Sequence, residues 1–222
     1  MLKSYYQSLV KIFLLVLLVT NSFFVSAQNY DLKVSNKEFN LERKSYKGYS
    51  TKLNLEYATV KREWWKYIKK LAVIENHKLY YITTFPPEKD KSNSPIVLIS
   101  SIEENENYSV LNSALFDQEM QNDFKSFAKN ILIDFKVNLF TKTIQKKIVD
   151  SEKEAIKISK SIDVNNKKIE NYNYKKERGR GNITEWKKNI SLLQIIQDSL
   201  KIELISVQNS VNKNKSLLKK IK

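Results

Sequence analysis

Apolar residues recur along this chain with two different periods, and the change from one period to the other divides it. Tyr30, Leu32 and Val34 alternate with Asp31 and Lys33, and Leu53, Leu55 and Tyr57 alternate with Lys52, Asn54 and Glu56. Period-two patterning sets one face on a core and the other in water, so both segments are predicted as half-buried strands. Gly48, between Lys47 and Tyr49, marks a turn or bulge feeding the second of them. Thr59 can cap a helix running to Leu71, with Val60, Trp64, Tyr67, Ile68 and Leu71 on one face. That periodicity assigns Trp64 to the core and leaves Trp65 exposed or covering the sheet. Three more strands are expected at residues 78–84, 96–102 and 108–116, joined by loops short enough to favour antiparallel neighbours. The order strand, strand, helix, three strands, helix predicts a small α+β domain with an antiparallel sheet.

From Asp117 onward the period is helical. Asp117 is a candidate N-cap, and Phe124, Ala128, Ile131, Phe135 and Leu139 mark one face. The stretch 137–141 is rich in β-branched and aromatic side chains and is expected to bend the helix. Heptads follow, with Ile144, Ile148, Ala155, Ile158, Ile162, Ile169 and Tyr172 on the seam and Ser151 and Asn165 as polar exceptions. Gly179 and Gly181 are placed where a helix ends in a left-handed residue. Asn182-Ile183-Thr184-Glu185 then reads as a capping box opening a second helix. Its seam is Ile183, Trp186, Ile190, Leu193, Leu200, Leu204, Val207, Val211, Leu218 and Ile221, interrupted by Gln197 and Asn214. Folding the two helices back about Gly181 sets Ile169 against Leu193, Ile162 against Leu200 and Asn165 against Gln197. A polar pair inside an apolar seam fixes register. Arms of about 38 residues would project roughly 55 Å at 1.5 Å per residue. The expected organisation is therefore a segment 1–27, an α+β domain at 28–117 and a helical hairpin at 118–222 with its turn at 179–182.

Composition sharpens that division. The chain of 222 residues has three Gly, three Pro and no Cys, and carries a net charge of +15. Residues 141–222 hold 20 basic and 9 acidic side chains, so 20 − 9 = +11 of the excess belongs to the hairpin. Without cysteine, neither a disulfide nor a lipid attached through an N-terminal Cys is possible, and the fold must hold by packing.

At the N-terminus Lys3 and Lys11 precede the apolar run 12–19, and Val25-Ser26-Ala27 offers small residues to a signal peptidase. Thr20, Asn21 and Ser22 interrupt the run before the ~20 apolar residues that a spanning helix needs. Export to the periplasm or beyond is expected, with cleavage after Ala27 and no transmembrane segment in the mature chain.

Candidate chemistry is sparse. His77 is the sole histidine and reads as a loop residue; Glu103, Glu104 and Glu106 cluster in a turn, where solvation is their ordinary fate. No Gly-x-Ser-x-Gly elbow occurs, and three glycines cannot build a phosphate-cradling loop. The reading is non-enzymatic, without metal or cofactor. The constellation that stands out is the hairpin tip. Tyr172, Tyr174, Lys175, Lys176, Arg178 and Arg180 approach it from one arm and Trp186, Lys187 and Lys188 from the other, opposed only by Glu177 and Glu185. Cations beside amphipathic rings suit phosphates, acidic polymers or lipid headgroups, although a charge run on a helix is ordinarily a solvated face.

Signal, strand-rich body and Lys/Asn/Ile-rich hairpin together resemble the uncharacterised exported proteins of Bacteroidetes-type bacteria. In shape and charge the chain is also similar to periplasmic holdase chaperones of the Skp type, which carry helical hairpins on a β-rich body. There the hairpin is inserted between strands, whereas here it follows them. The basic excess of the arms and a surplus apolar face on the second arm make association the expected mode of action, as a homo-oligomer or with an acidic or unfolded partner, a protein or an acidic envelope component. Nucleic acid is disfavoured by the compartment. Leu192, Ile195, Ile196, Ile202 and Ile205 widen the apolar face of the second arm beyond what one helix covers, which favours an oligomer over packing on the α+β domain. The remaining alternative is a small-molecule-binding α+β module with the hairpin as a spacer.

Overall fold

The structure, a computed structural model, describes residues 30–87, 94–117 and 121–221. The expected export signal and its cleavage point fall outside the described residues. The chain divides into two compact units, Met1–Lys129 and Asn130–Lys222.

The first unit runs β1 (Ser35–Leu41), β2 (Lys44–Leu53), α1 (Tyr57–Ile68), β3 (Val73–Asn76), β4 (Tyr80–Phe85), β5 (Ile96–Asn105) and β6 (Tyr108–Leu115). The strands form one antiparallel sheet in the order β1-β2-β6-β5-β4-β3. The α+β class with an antiparallel sheet is as the pattern predicts.

Particular elements differ. The first two strands form a hairpin at 35–53, where the alternation predicts strands at 30–34 and 52–57. The hairpin turns on Glu42 and Arg43, whose φ angles of 49° and 66° give the mirror-image turn that suits the twist of paired strands. Helix α1 starts at Tyr57 after Glu56, which makes no side-chain cap, so Thr59 is inside the helix and not its cap. The short edge strand β3 was not expected. Gly48 lies within β2 and not at a turn, and glycine is needed there because a Cβ would meet Ser113 O and sit 2.6 Å from the Ala114 Cβ.

The sheet is curled. Lys37 on β1 forms an ion pair with Glu103 on β5 at 2.9 Å, and Tyr80 on β4 donates to Glu42 in the β1–β2 turn at 3.0 Å. In a flat sheet β1 and β5 would stand about 14 Å apart, three strand spacings, so the contact requires strong coiling. Phe39, Tyr46, Tyr80, Ile99 and Ala114 fill the concave face, with Leu41 and Ile82 at its margin. Ser100 points to the opposite face from Ile99 and accepts the Trp64 indole N–H at 3.1 Å. That face therefore receives α1 through buried Val60, Trp64 and Ile68, as their spacing predicts.

The second unit is helical. Helix α2 (Gln121–Glu177) begins in the first unit and stays helical through 137–141. Helix propensities differ by only about 0.7 kcal/mol per ordinary residue, and the burial of Leu139 and Phe140 outweighs them. Helix α3 (Ile183–Ile221) packs back along α2 as the second arm of the hairpin. Of the expected seam positions on both arms only Ile183, the first residue of α3, is exposed. The polar layer is shifted by one residue from expectation: Gln197 donates to Asn166 at 2.5 Å, and Asn166 rather than Asn165 is its partner. Lys215 and Glu152 add a cross-arm ion pair at 2.9 Å.

Candidate functional site at the hairpin tip

The reversal is built from the two glycines and the asparagine. Gly179 has φ +61°, and around it the Gly179 N–H donates to Lys176 O at 3.2 Å and Arg180 N–H to Lys175 O at 3.1 Å. These are the two crossed bonds of a Schellman stop, which satisfy carbonyls that the end of α2 would otherwise orphan. Gly181 follows at φ +75°. The Asn182 Oδ1 then accepts from Thr184 N–H at 3.1 Å and Glu185 N–H at 3.3 Å, capping α3. Only this half of the expected capping box is formed among the described residues.

Trp186 locks the turn. Its indole N–H donates to Arg180 O at 2.7 Å, and its ring stacks on Tyr172 with centroids 5.1 Å apart. Its six-membered ring edge lies against Gly181, where an added Cβ would approach to 3.3 Å. Lys175 Nζ stands 5.1 Å from the Trp186 ring centroid, and the Arg178 guanidinium 4.5 Å from that of Tyr174. The structure thus gathers Tyr172, Lys175 and Trp186 into one cluster, held to the Arg180 carbonyl, and pairs Tyr174 with Arg178. Lys187 and Lys188 lie exposed on the first turns of α3, and Lys176 is half-buried at the end of α2.

Six cations therefore surround a short turn with two acids beside them, and two of the six are stacked on rings. Stacking orders a cation without neutralising it, so the tip presents positive charge from a fixed frame. What this arrangement can do is hold anionic groups by charge and hydrogen bonding; it contains no histidine or thiol and no paired carboxylates for acid–base or nucleophilic chemistry.

Elsewhere, His77 occupies the β3–β4 turn, stacked on Tyr80 at 4.9 Å with its Nε2 3.5 Å from Glu75. Among the described residues no group of three or more His, Cys, Asp or Glu side chains could hold a metal, and no helix is long and apolar enough to cross a membrane. The first unit carries a half-open cleft of about 320 Å³ with Lys37, Glu38, Lys47 and Tyr49 around Gly48. Sequence periodicity gave no sign of Lys136, which is buried with its Nζ 5.8 Å from the Phe140 ring centroid.

No protein-family model, curated protein or solved structure matches the chain.

Proposed function

We propose that this is an exported, non-enzymatic binding protein of the cell envelope, whose hairpin tip engages an acidic partner. The observation that supports the reading is the ordering of Lys175 and Arg178 over Trp186 and Tyr174 beside Arg180, Lys187 and Lys188. A solvated charge run has no need of a frame in which an indole is stacked, hydrogen-bonded and packed on a glycine. The partner is a chain bearing carboxylates or phosphates, bound by several weak contacts together, since each exposed ion pair contributes only about 0–1 kcal/mol. The alternative, a small molecule held by the α+β unit with the hairpin as spacer, would use the cleft around Gly48. That cleft is near the lower end of the roughly 300–1,000 Å³ typical of ligand pockets, and its rim lysine Lys37 is already paired with Glu103.

Polyglutamate serves as the probe. The mature chain should bind it with an affinity that falls as salt rises. The variant Arg178→Gln/Arg180→Gln/Lys187→Gln/Lys188→Gln should bind at least about tenfold more weakly, two or more exposed contacts being lost, with an unchanged circular dichroism spectrum. Equal binding by the two proteins would remove the tip from consideration.

A further inference from the structure

Helix α3 carries an apolar stripe on the side away from its seam. Leu192, Ile195, Ile196, Ile202 and Ile205 are 46%, 57%, 49%, 70% and 57% exposed. Ile195 and Ile202 are one heptad apart, while Leu192 and Ile205 lie three residues beyond them on either end. The stripe is about 20 Å long at 1.5 Å per residue, and it is continuous on one helix, unlike the single exposed side chains any protein surface shows.

We propose that this stripe is the contact surface for a second copy of the same chain, in a two-fold dimer in which α3 packs antiparallel on its counterpart. Two observations select a second copy over another occupant. The first is symmetry. A two-fold interface uses the same patch twice, so along an antiparallel helix pair each position must suit its mirror image. About the Asp198–Ser199 bond the stripe is its own mirror image: Leu192 reflects onto Ile205, Ile195 onto Ile202 and Ser191 onto Ser206. Every large apolar residue of the four then meets another, and small serines bracket them. Ile196 reflects onto Lys201, whose methylene stem can cover it while the ammonium stays in water.

The second observation is charge. Two chains of +15 repel each other wherever lysines face lysines. From Asn189 to Asn212 the only basic residue is Lys201, against Asp198 and Glu203, and Lys201 sits 3.5 Å from Asp198. Lysine is absent where two copies would meet, and returns at Lys187, Lys188, Lys213 and Lys215 immediately outside. An acidic partner would be served by the opposite pattern, a stripe flanked closely by lysines.

Because the stripe advances in steps of three residues at both ends, it is inclined to the helix axis, so the two helices cross rather than run side by side. Crossing carries the basic ends of the two hairpins apart. The dimer is independent of what the tip binds, since the stripe begins beyond Lys188.

Sedimentation equilibrium of the mature chain at micromolar concentration tests the proposal. A dimer is expected, and Ile195→Lys/Ile202→Lys, which sets lysine against lysine across the two-fold, should weaken self-association at least about a hundredfold, as central contacts of an interface dominate its affinity. Both positions are exposed, so the helical circular dichroism signal should stay unchanged. A second measurement exploits the absence of cysteine in the chain. Ser199→Cys places a thiol beside the two-fold axis and should form a disulfide-linked dimer under mild oxidation. Ser161→Cys, exposed on α2, should not. A monomer at all concentrations, a dimer indifferent to the stripe substitutions, or equal cross-linking at both cysteines would each overturn the proposal. Loss of polyglutamate binding with the dimer intact would strike the tip reading alone.

Discussion

Trp186 and Tyr172 stack across the two arms of the hairpin with 27° between their planes, and the same indole donates to the Arg180 carbonyl. One side chain thereby ties arm to arm and arm to turn. Its replacements should separate these effects. Trp186→Phe keeps a ring over Tyr172 but loses the donor, a cost of about 1 kcal/mol for one hydrogen bond. Trp186→Ala should cost about 2 kcal/mol or more, since the aromatic pair adds roughly 0.5–1.5 kcal/mol. Hydrogen exchange of the Thr184, Glu185 and Trp186 amides, which sit in the first turn of α3, reads the local loosening in both.

The two turn glycines differ in their surroundings and should respond differently. Both have left-handed φ, which costs a residue with a Cβ about 1–2 kcal/mol. Gly179 has open space about its Cα, whereas a Cβ on Gly181 would press on the Trp186 ring. Gly179→Asn should therefore be nearly neutral, because asparagine tolerates the left-handed region. Gly181→Asn should destabilise the tip further and reduce the quenching of Trp186 fluorescence by its neighbours. Equal effects at the two positions would show that the ring contact carries no weight.

Gly48→Ala is expected to damage the sheet. The added methyl would meet backbone Ser113 O and the Ala114 Cβ, and neither can move without disturbing the β2–β6 pairing. Overpacking of this kind typically costs about 1–3 kcal/mol. Chemical denaturation should show a lower midpoint, and chemical shifts should move at Tyr49 and Ser113. A neutral substitution would mean that the strand bends away at little cost.

What was legible in the sequence was whatever local pattern determines. The helical seams and the core face of α1 follow from spacing alone, because every third or fourth residue must repeat for a helix to bury one side, and the reversal at Gly179–Asn182 follows from its glycines and capping asparagine. The first β-hairpin was illegible for a physical reason. β1 is an edge strand whose apolar residues are only Phe39 and Leu41, and its turn uses Glu42 and Arg43 at positive φ in place of the glycine or asparagine that normally announces it. β3, four residues long with Val73 exposed, offers too little alternation to see. Of the site, the aromatic and basic residues of the tip were evident as a cluster, but their order was not. Both Tyr172 and Trp186 are seam positions, but that they stack on each other depends on the rotation of one arm against the other, which a heptad count fixes only to within a residue.

That same one-residue uncertainty moved the polar layer from Asn165 to Asn166. Gln197 and Asn166 are both partly buried, so removing one leaves the other amide unpaired. Asn166→Ala should destabilise the hairpin by about 0.5–1.5 kcal/mol, the net worth of one hydrogen bond between groups that water can partly reach. Asn166→Leu/Gln197→Leu should be neutral or stabilising, since two apolar groups then meet, while permitting the arms to slip. Spin labels at Glu152 and Lys215, ion-paired in the native register, would report slippage as a second distance.

The concave face of the sheet makes the last prediction one of pH. Tyr80 is held above the ordinary tyrosine value of 10.0, first by burial, then by the hydrogen bond it donates to Glu42 and by that carboxylate's charge. Tyr81 is also raised, by burial and then by Tyr57. An acid whose pKa is higher folded than unfolded binds its proton more tightly in the native state, so the unfolded chain loses protons first as pH rises. The stability these two phenols provide is therefore complete below pH 10 and declines as pH climbs through their raised native values. Alkaline titration followed by phenolate absorbance should show Tyr80, identified by subtracting the Tyr80→Phe variant, ionising above the exposed tyrosines. Glu42→Gln removes the carboxylate's charge and should bring that midpoint down, while Tyr81, whose causes do not include Glu42, stays where it was. A Tyr80 midpoint unmoved by Glu42→Gln would mean that the contact between the β1–β2 turn and β4, and with it the curl of the sheet, does not persist in solution.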